Sequence, residues 1–117
     1  MPSDSPPRQH LSERIFFTSA TGAYLPKAAV VARSLKQHQS DARFVLVFVD
    51  EPENLPAGYH ESACFDEVIL ARDLIGPSFA QWVFGHSLVE ACTGVKADAF
   101  RALLRRDGVK TVTYLDP

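Results

Sequence analysis

The run Phe44–Val49, FVLVFV, places six apolar residues in succession and stops at Asp50. A strand with one wet face alternates apolar and polar residues, because successive side chains point to opposite faces. This run does not alternate, so both of its faces must be covered. That is the pattern of a strand inside a parallel sheet, where crossover helices cover both sides.

The flanking segments supply those crossovers. Arg14–Ser19, RIFFTS, is predicted to be a strand, buried by its Ile-Phe-Phe run. A loop over Ala20–Tyr24 follows, relaxed by Gly22. Pro26 then stands in what is predicted as the first turn of a helix, where its missing N–H costs nothing. Ala28, Val31, Ala32 and Leu35 recur at i, i+3, i+4 and i+7, so Leu25–His38 reads as that helix. Glu51–Gly58, EPENLPAG, is a loop or short turn. Phe65–Leu70 is a third, weaker strand, and one or two short helices are expected over Asp73–Phe84, around Gly76 and Pro77. Ser87–Arg106 is a long helix with Gly108 just beyond its end. Thr111–Leu115 is the last strand. Strand–helix alternation of this kind specifies an α/β fold: an open, mostly parallel, Rossmann-like sheet flanked by helices.

The 117 residues suit one domain. Residues 1–13 read as a disordered or loosely attached tail, since three prolines and two serines fall in the first seven positions with no apolar period. The domain is expected over 14–117. Hydrophobic residues make up 46% and charged ones 22%, enough for a core. Twelve basic against fourteen acidic residues leave a formal charge of -2, without the basic stripe that nucleic acid requires. There is no apolar run near the ~18 residues of a membrane helix, and no secretory signal at the start. The expected location is the cytoplasm, at most peripheral to a membrane. Cys64 and Cys92 are read as reduced thiols packed as small hydrophobes; a disulfide between them stays open.

In open parallel sheets ligands bind beyond the carboxyl ends of the strands. Those ends are Thr18-Ser19-Ala20-Thr21, Asp50, Ala71-Arg72-Asp73 and Asp116, so three of them carry an acidic residue and the first carries hydroxyls. The long helix adds more. Projected at about 100° per residue, Leu88, Cys92, Val95, Ala99 and Leu103 cluster together, and Val89, Phe100 and Leu104 widen the apolar arc to about 160°. Lys96 and Thr93 fall inside that arc, and Glu90 borders it. Two readings stand for Lys96. Its ammonium either escapes past its neighbours to water, or the face looks into a cleft where the ammonium meets a phosphate or carboxylate. Asp50 and Asp116 likewise either cap the turns that follow them, or bind a hard cation or a ribose at the sheet rim.

The first turn, TSATGAYLP, lacks the G-x-G-x-x-G of dinucleotide folds, and the chain has no G-x-x-x-x-G-K phosphate loop. A metal ion near Asp116 is then the expected way to neutralise a phosphate. His10, His38, His60 and His86 show no metal-ligand spacing. No serine lies in a nucleophile elbow, and neither cysteine has an evident base.

The stretch SLVEACTGVKADAFRALLRRDGVKTVTYLDP resembles a family of bacterial glycosyltransferases with the GT-A fold, whose pattern is roughly E-x-x-T-A-x-K-P, a leucine-rich helix, then Y-L-D-P-D. Glu90, Thr93 and Lys96 match the first part, and Tyr114 to Pro117 the second. The opening TSATGAYLPKAAVVARSLKQHQSDARFVLVFVD is similar to the family's opening as well. Gly94 and Ala97 depart from the pattern. The resemblance implies the nucleotide-diphospho-sugar-binding half of a transferase, truncated inside its D-x-D metal motif with a second aspartate next. Asp116 would be the first metal carboxylate, for Mn²⁺ or Mg²⁺. Thr18, Ser19 and Ala20 would line the base and ribose pocket, Asp50 would approach the base or ribose, and Lys96 would face the diphosphate or sugar. The acceptor would be a polysaccharide, lipid or protein. The rival expectation is a non-catalytic α/β interaction module. Either way, an exposed last strand invites pairing between copies, hence a homo-oligomer.

Overall fold

The computed structural model describes residues 14–76 and 88–116, the side chains of 60, 61 and 88–94 excepted. The tail 1–13, Pro117, most of the expected helical stretch 73–84, and the thiol of Cys92 therefore lie outside the described residues. Four strands form the sheet: β1 (Arg14–Ala20), β2 (Arg43–Phe48), β3 (Glu67–Leu70) and β4 (Thr111–Tyr114). Their spatial order is β3-β2-β1-β4, and every pairing is parallel. Four α-helices are described: α1 (Leu25–His38), a short α2 (Tyr59–Ser62), α3 (Ala71–Ile75) and α4 (Leu88–Leu104). The architecture is α/β, a four-stranded all-parallel sheet flanked by helices, which agrees with the alternation in the sequence.

β2 behaves as its composition demands. Phe44, Val45, Leu46, Val47 and Phe48 are all fully buried. Alternate residues serve opposite layers. Val45, Val47 and Val49 join Ile15 and Phe17 against Val95, Ala99 and Leu103 of α4. Phe44, Leu46 and Phe48 join Ala28 and Ala32 of α1. Small residues on α1 let that helix approach the sheet closely, while the phenylalanines fill the space between.

α1 has the limits its periodicity predicts, with Pro26 in the first turn. Other details differ from the sequence reading. α3 starts directly after β3 rather than at Asp73, because Ala71 is small and fully buried there. α2 adds a helical turn, started by Gly58 at φ 73 and unmarked by any apolar period. α4 closes at Leu104, two residues early, and Gly108 has φ 82, as a stop requires. Leu104 is 51% exposed although the projection put it in the apolar arc. It sits at the arc's margin, and the buried stripe is the narrower Val95-Ala99-Leu103 row. No described helix is long and apolar enough to cross a membrane.

The amino ends of the strands are pinned by charge. Glu67 opens β3 and accepts hydrogen bonds from Arg43 at 3.0 Å and from Arg106 at 2.9 and 2.7 Å. Arg106 follows α4, so this cluster ties that helix to the far side of the sheet. Lys36 of α1 donates to the Ala42 carbonyl at 3.0 Å and pairs with Asp66. Asp66 also accepts the Phe44 N–H at 2.7 Å. Arg14 pairs with Asp41. The Arg106 guanidinium holds the Glu67 carboxyl below its ordinary 4.5, with burial opposing and Arg43 assisting.

A folded-state pKa below the unfolded one contributes stability above the ordinary value and loses it as pH falls through the folded value. Glu67→Gln is therefore expected to destabilise the chain by about 1–3 kcal/mol at neutral pH. The difference from wild type should shrink as pH drops below 4.5, in denaturant titrations at both pH values. An equal gap at neutral and acidic pH would remove the charge from this account.

Candidate functional site

The strand order defines one special position. From β1 the chain proceeds to β2 and β3 in one direction, then returns to place β4 on the other side of β1. α1 covers one face and α4 the other. The reversal between β1 and β4 is a topological switch point, the position at whose carboxyl ends open parallel sheets bind their ligands.

Four polar side chains meet there. Tyr114, at the end of β4, lies beside β1 in register with Phe17. Its hydroxyl is 3.2 Å from Ser19 Oγ across the switch point and donates to Asp116 Oδ1, also at 3.2 Å. The phenol has one proton, so a Tyr114 that donates to Asp116 accepts from the Ser19 hydroxyl. The ammonium of Lys96 lies over the Tyr114 ring, 4.3 Å from its centroid. The ring is held from below: Phe17 meets it edge-on at 5.1 Å, and Phe100 of α4 meets Phe17 edge-on at 4.9 Å.

Lys96 is half-buried, and it forms no ion pair among the described residues. The contrast with the amino ends of the strands is chemical, since there Arg14, Lys36, Arg43 and Arg106 each hold a carboxylate. A π face attracts a cation without neutralising its charge, so the ammonium can still attract an anion.

The remaining expected site residues are placed differently. Ala20 is buried, and its carbonyl accepts the Val49 N–H at 2.9 Å. Thr18 is fully buried and shares strand parity with Phe16 and Ala20, which pack on the α1 side, so it faces away from Ser19 and Tyr114. Its hydroxyl has no hydrogen-bond partner among the described residues.

Asp50 clasps the first loop. Its carboxylate accepts the Gly22 N–H at 3.0 Å, the Glu51 N–H at 2.8 Å and the Asn54 amide at 2.9 Å. Burial pushes its pKa up, but the three hydrogen bonds together outweigh it and hold the carboxyl below its ordinary value. The approach at Gly22 is close: a Cβ there would sit 3.1 Å from Asp50 Oδ2, so the carboxylate would have to shift by a few tenths of an ångström. The side chains of Glu90 and Thr93 lie outside the described residues.

Asp116 is exposed beyond β4 and brings one carboxylate. Among the described residues no three His, Cys, Asp or Glu side chains converge on a point that could hold a metal. A single carboxylate completed by ligand phosphates and water suits Mg²⁺ better than a protein-only cage does. A divalent cation therefore fits here only together with an anionic ligand. Elsewhere, a groove of about 410 Å³ runs along Val30, Val31, Ser34, Leu35, His38 and Leu115. Its lining is mostly apolar, and His38 Nδ1 there lies 2.9 Å from the Ser34 carbonyl.

Sequence reasoning placed Ser19, Lys96 and Asp116 near a site but missed Tyr114, the residue that joins them. A usable signal existed: Tyr114 and Asp116 are two apart at a strand end, which puts them on one face. No protein-family model, curated protein or solved structure matches the chain.

The buried hydroxyl of Thr18 gives a direct test. An unsatisfied buried donor costs about 1–3 kcal/mol, so Thr18→Val should raise the denaturation midpoint while leaving the fold unchanged. A destabilised variant would show that the hydroxyl has a partner in solution.

Proposed function

We propose that this chain is the nucleotide-sugar-binding part of a glycosyltransferase of GT-A type. The full activity would move a sugar from a nucleotide-diphospho-sugar to a polysaccharide, lipid or protein acceptor. The observation that carries the reading is Lys96: a half-buried ammonium resting on the Tyr114 ring, at the switch point of a parallel sheet, with no described carboxylate against it. An anionic ligand such as a diphosphate is its natural complement. The class of ligand rests on the resemblance of the segments around Glu90, Thr93, Lys96 and Tyr114–Asp116 to those transferases.

In this reading the end of β1 lines the base and ribose; Ser19 is buried too, and its hydroxyl is turned to Tyr114 on the α4 side. Thr18 and Ala20 contribute through the backbone, since their side chains are buried. Asp50 shapes the first loop and reaches the ribose only by exchanging one of its present partners. Mn²⁺ or Mg²⁺ would be held by Asp116 with the diphosphate, and would neutralise charge on the leaving group.

The test is a titration of the chain with UDP, GDP, ADP and TDP, followed by amide NMR. Binding is expected near the millimolar range, roughly -4 kcal/mol, with shifts at Ser19, Thr21 and the backbone around Asp116. Lys96→Met should weaken it about tenfold, the loss of one charge-assisted contact, without loss of stability. Silence toward all four nucleotides, or unchanged affinity in Lys96→Met, would defeat the reading. The former outcome would favour a non-catalytic interaction module, for which the apolar groove beside Leu115 speaks.

We also propose self-association through β4. It is an edge strand among the described residues, with Thr111 and Thr113 exposed, and unpaired edges recruit further strands. Light scattering should give a mass above that of one chain at high concentration, and a strictly monomeric mass would rule this out.

A further inference from the structure

Lys96 and Asp116 carry opposite charges and touch the same side chain, yet they do not form an ion pair. Tyr114 stands between them. Its ring face takes the ammonium and its hydroxyl takes the carboxylate. We propose that Tyr114 is a positioning residue that keeps these two charges apart, so that the lysine stays open to an anion and the carboxylate stays open to a cation. The inference rests on the anion-binding reading of this site.

The physical case has three parts. First, the ring is not free to follow its polar neighbours. It is packed edge-on against the fully buried Phe17, which is itself packed on Phe100. Second, each contact engages a different property of the side chain. The ring quadrupole attracts the ammonium at its face, and the phenol proton serves the carboxylate in the ring plane. The two charged groups are therefore directed to different places around one rigid body. Third, the hydroxyl also engages Ser19 at 3.2 Å, which fixes the Asp116 side of the arrangement to β1. Without the ring, long-range attraction would bring a flexible lysine and an exposed aspartate together. A closed pair would present little net charge to a phosphate.

This predicts an order among variants. Tyr114→Phe keeps the ring and so keeps the lysine in place. Tyr114→Leu removes both contacts and lets Lys96 pair with Asp116. Adding Asp116→Asn to Tyr114→Leu removes the competing carboxylate and should restore an open lysine. A residue with only a packing role would not be rescued by a change at Asp116.

The experiment uses the whole chain, inorganic pyrophosphate as the anion probe, and NMR of the Lys96 side chain. Without ligand, the ε-methylene of Lys96 should show the upfield ring-current shift of a group over an aromatic face. The shift should persist in Tyr114→Phe and vanish in Tyr114→Leu. Pyrophosphate affinity should stay within about twofold of wild type in Tyr114→Phe, fall about tenfold in Tyr114→Leu, and recover most of that loss in the double variant. Amide spectra of β2 report whether each variant is folded.

An unshifted Lys96 in the wild type overturns the proposal without any variant. So does a tenfold loss in folded Tyr114→Phe, or full affinity in folded Tyr114→Leu. Wild-type chain that ignores pyrophosphate overturns the anion-binding reading and the inference together, whereas wild-type binding that is insensitive to Tyr114→Leu overturns the inference alone.

Discussion

Burial of β2 on both faces is the constraint from which the rest of the structure follows. Five consecutive side chains, Phe44 to Phe48, leave water completely. At about 1.5–3 kcal/mol for each large apolar side chain, this is a large local contribution to folding. It is realised only if a helix lies on each face, so α1 and α4 must occupy opposite sides. Helices on opposite sides in turn allow the strand order to reverse beside β1, and that reversal brings Tyr114 to Ser19.

The same layering sorts the polar groups. A sheet covered on both faces has room for charge only at its two ends. At the amino ends, Glu67, Asp66 and Asp41 are each matched by Arg or Lys, and these pairs hold helices and strands in register. At the carboxyl ends the groups are matched less completely. Asp50 is consumed by closing its own loop. Lys96 is matched by a ring rather than by a carboxylate. The described ion pairs across the sheet are thus concentrated at one of its ends, and a cation held by a ring lies at the other.

Tyr114 links the two levels. Its ring belongs to the apolar layer through Phe17, and its hydroxyl and face belong to the polar cluster. Its contacts with Lys96 and Asp116 therefore connect both charged groups to the packed core. A site built in this way has its geometry set by close-packed aromatic groups instead of by loop segments.

Much of the fold was legible in the residues because its signals are local. The unbroken run of β2 demands two covers, and the i, i+3, i+4 spacing of Ala28, Val31, Ala32 and Leu35 needs only its own helix to be read. The anomaly of Lys96 was legible too, since a projection compares a residue with its helix alone. The site was less so. Thr18 and Ser19 are neighbours in sequence but face opposite layers, and which layer holds the polar cluster depends on which side α4 packs. Leu104 falls outside the buried row because the sheet accepts a narrower stripe than the helix offers. The meeting of Ser19, Lys96, Tyr114 and Asp116 required β4 to return beside β1, a long-range closure that no local period encodes. Sequence alone determined what must be buried; only tertiary structure decided which polar groups would meet where the burial ends.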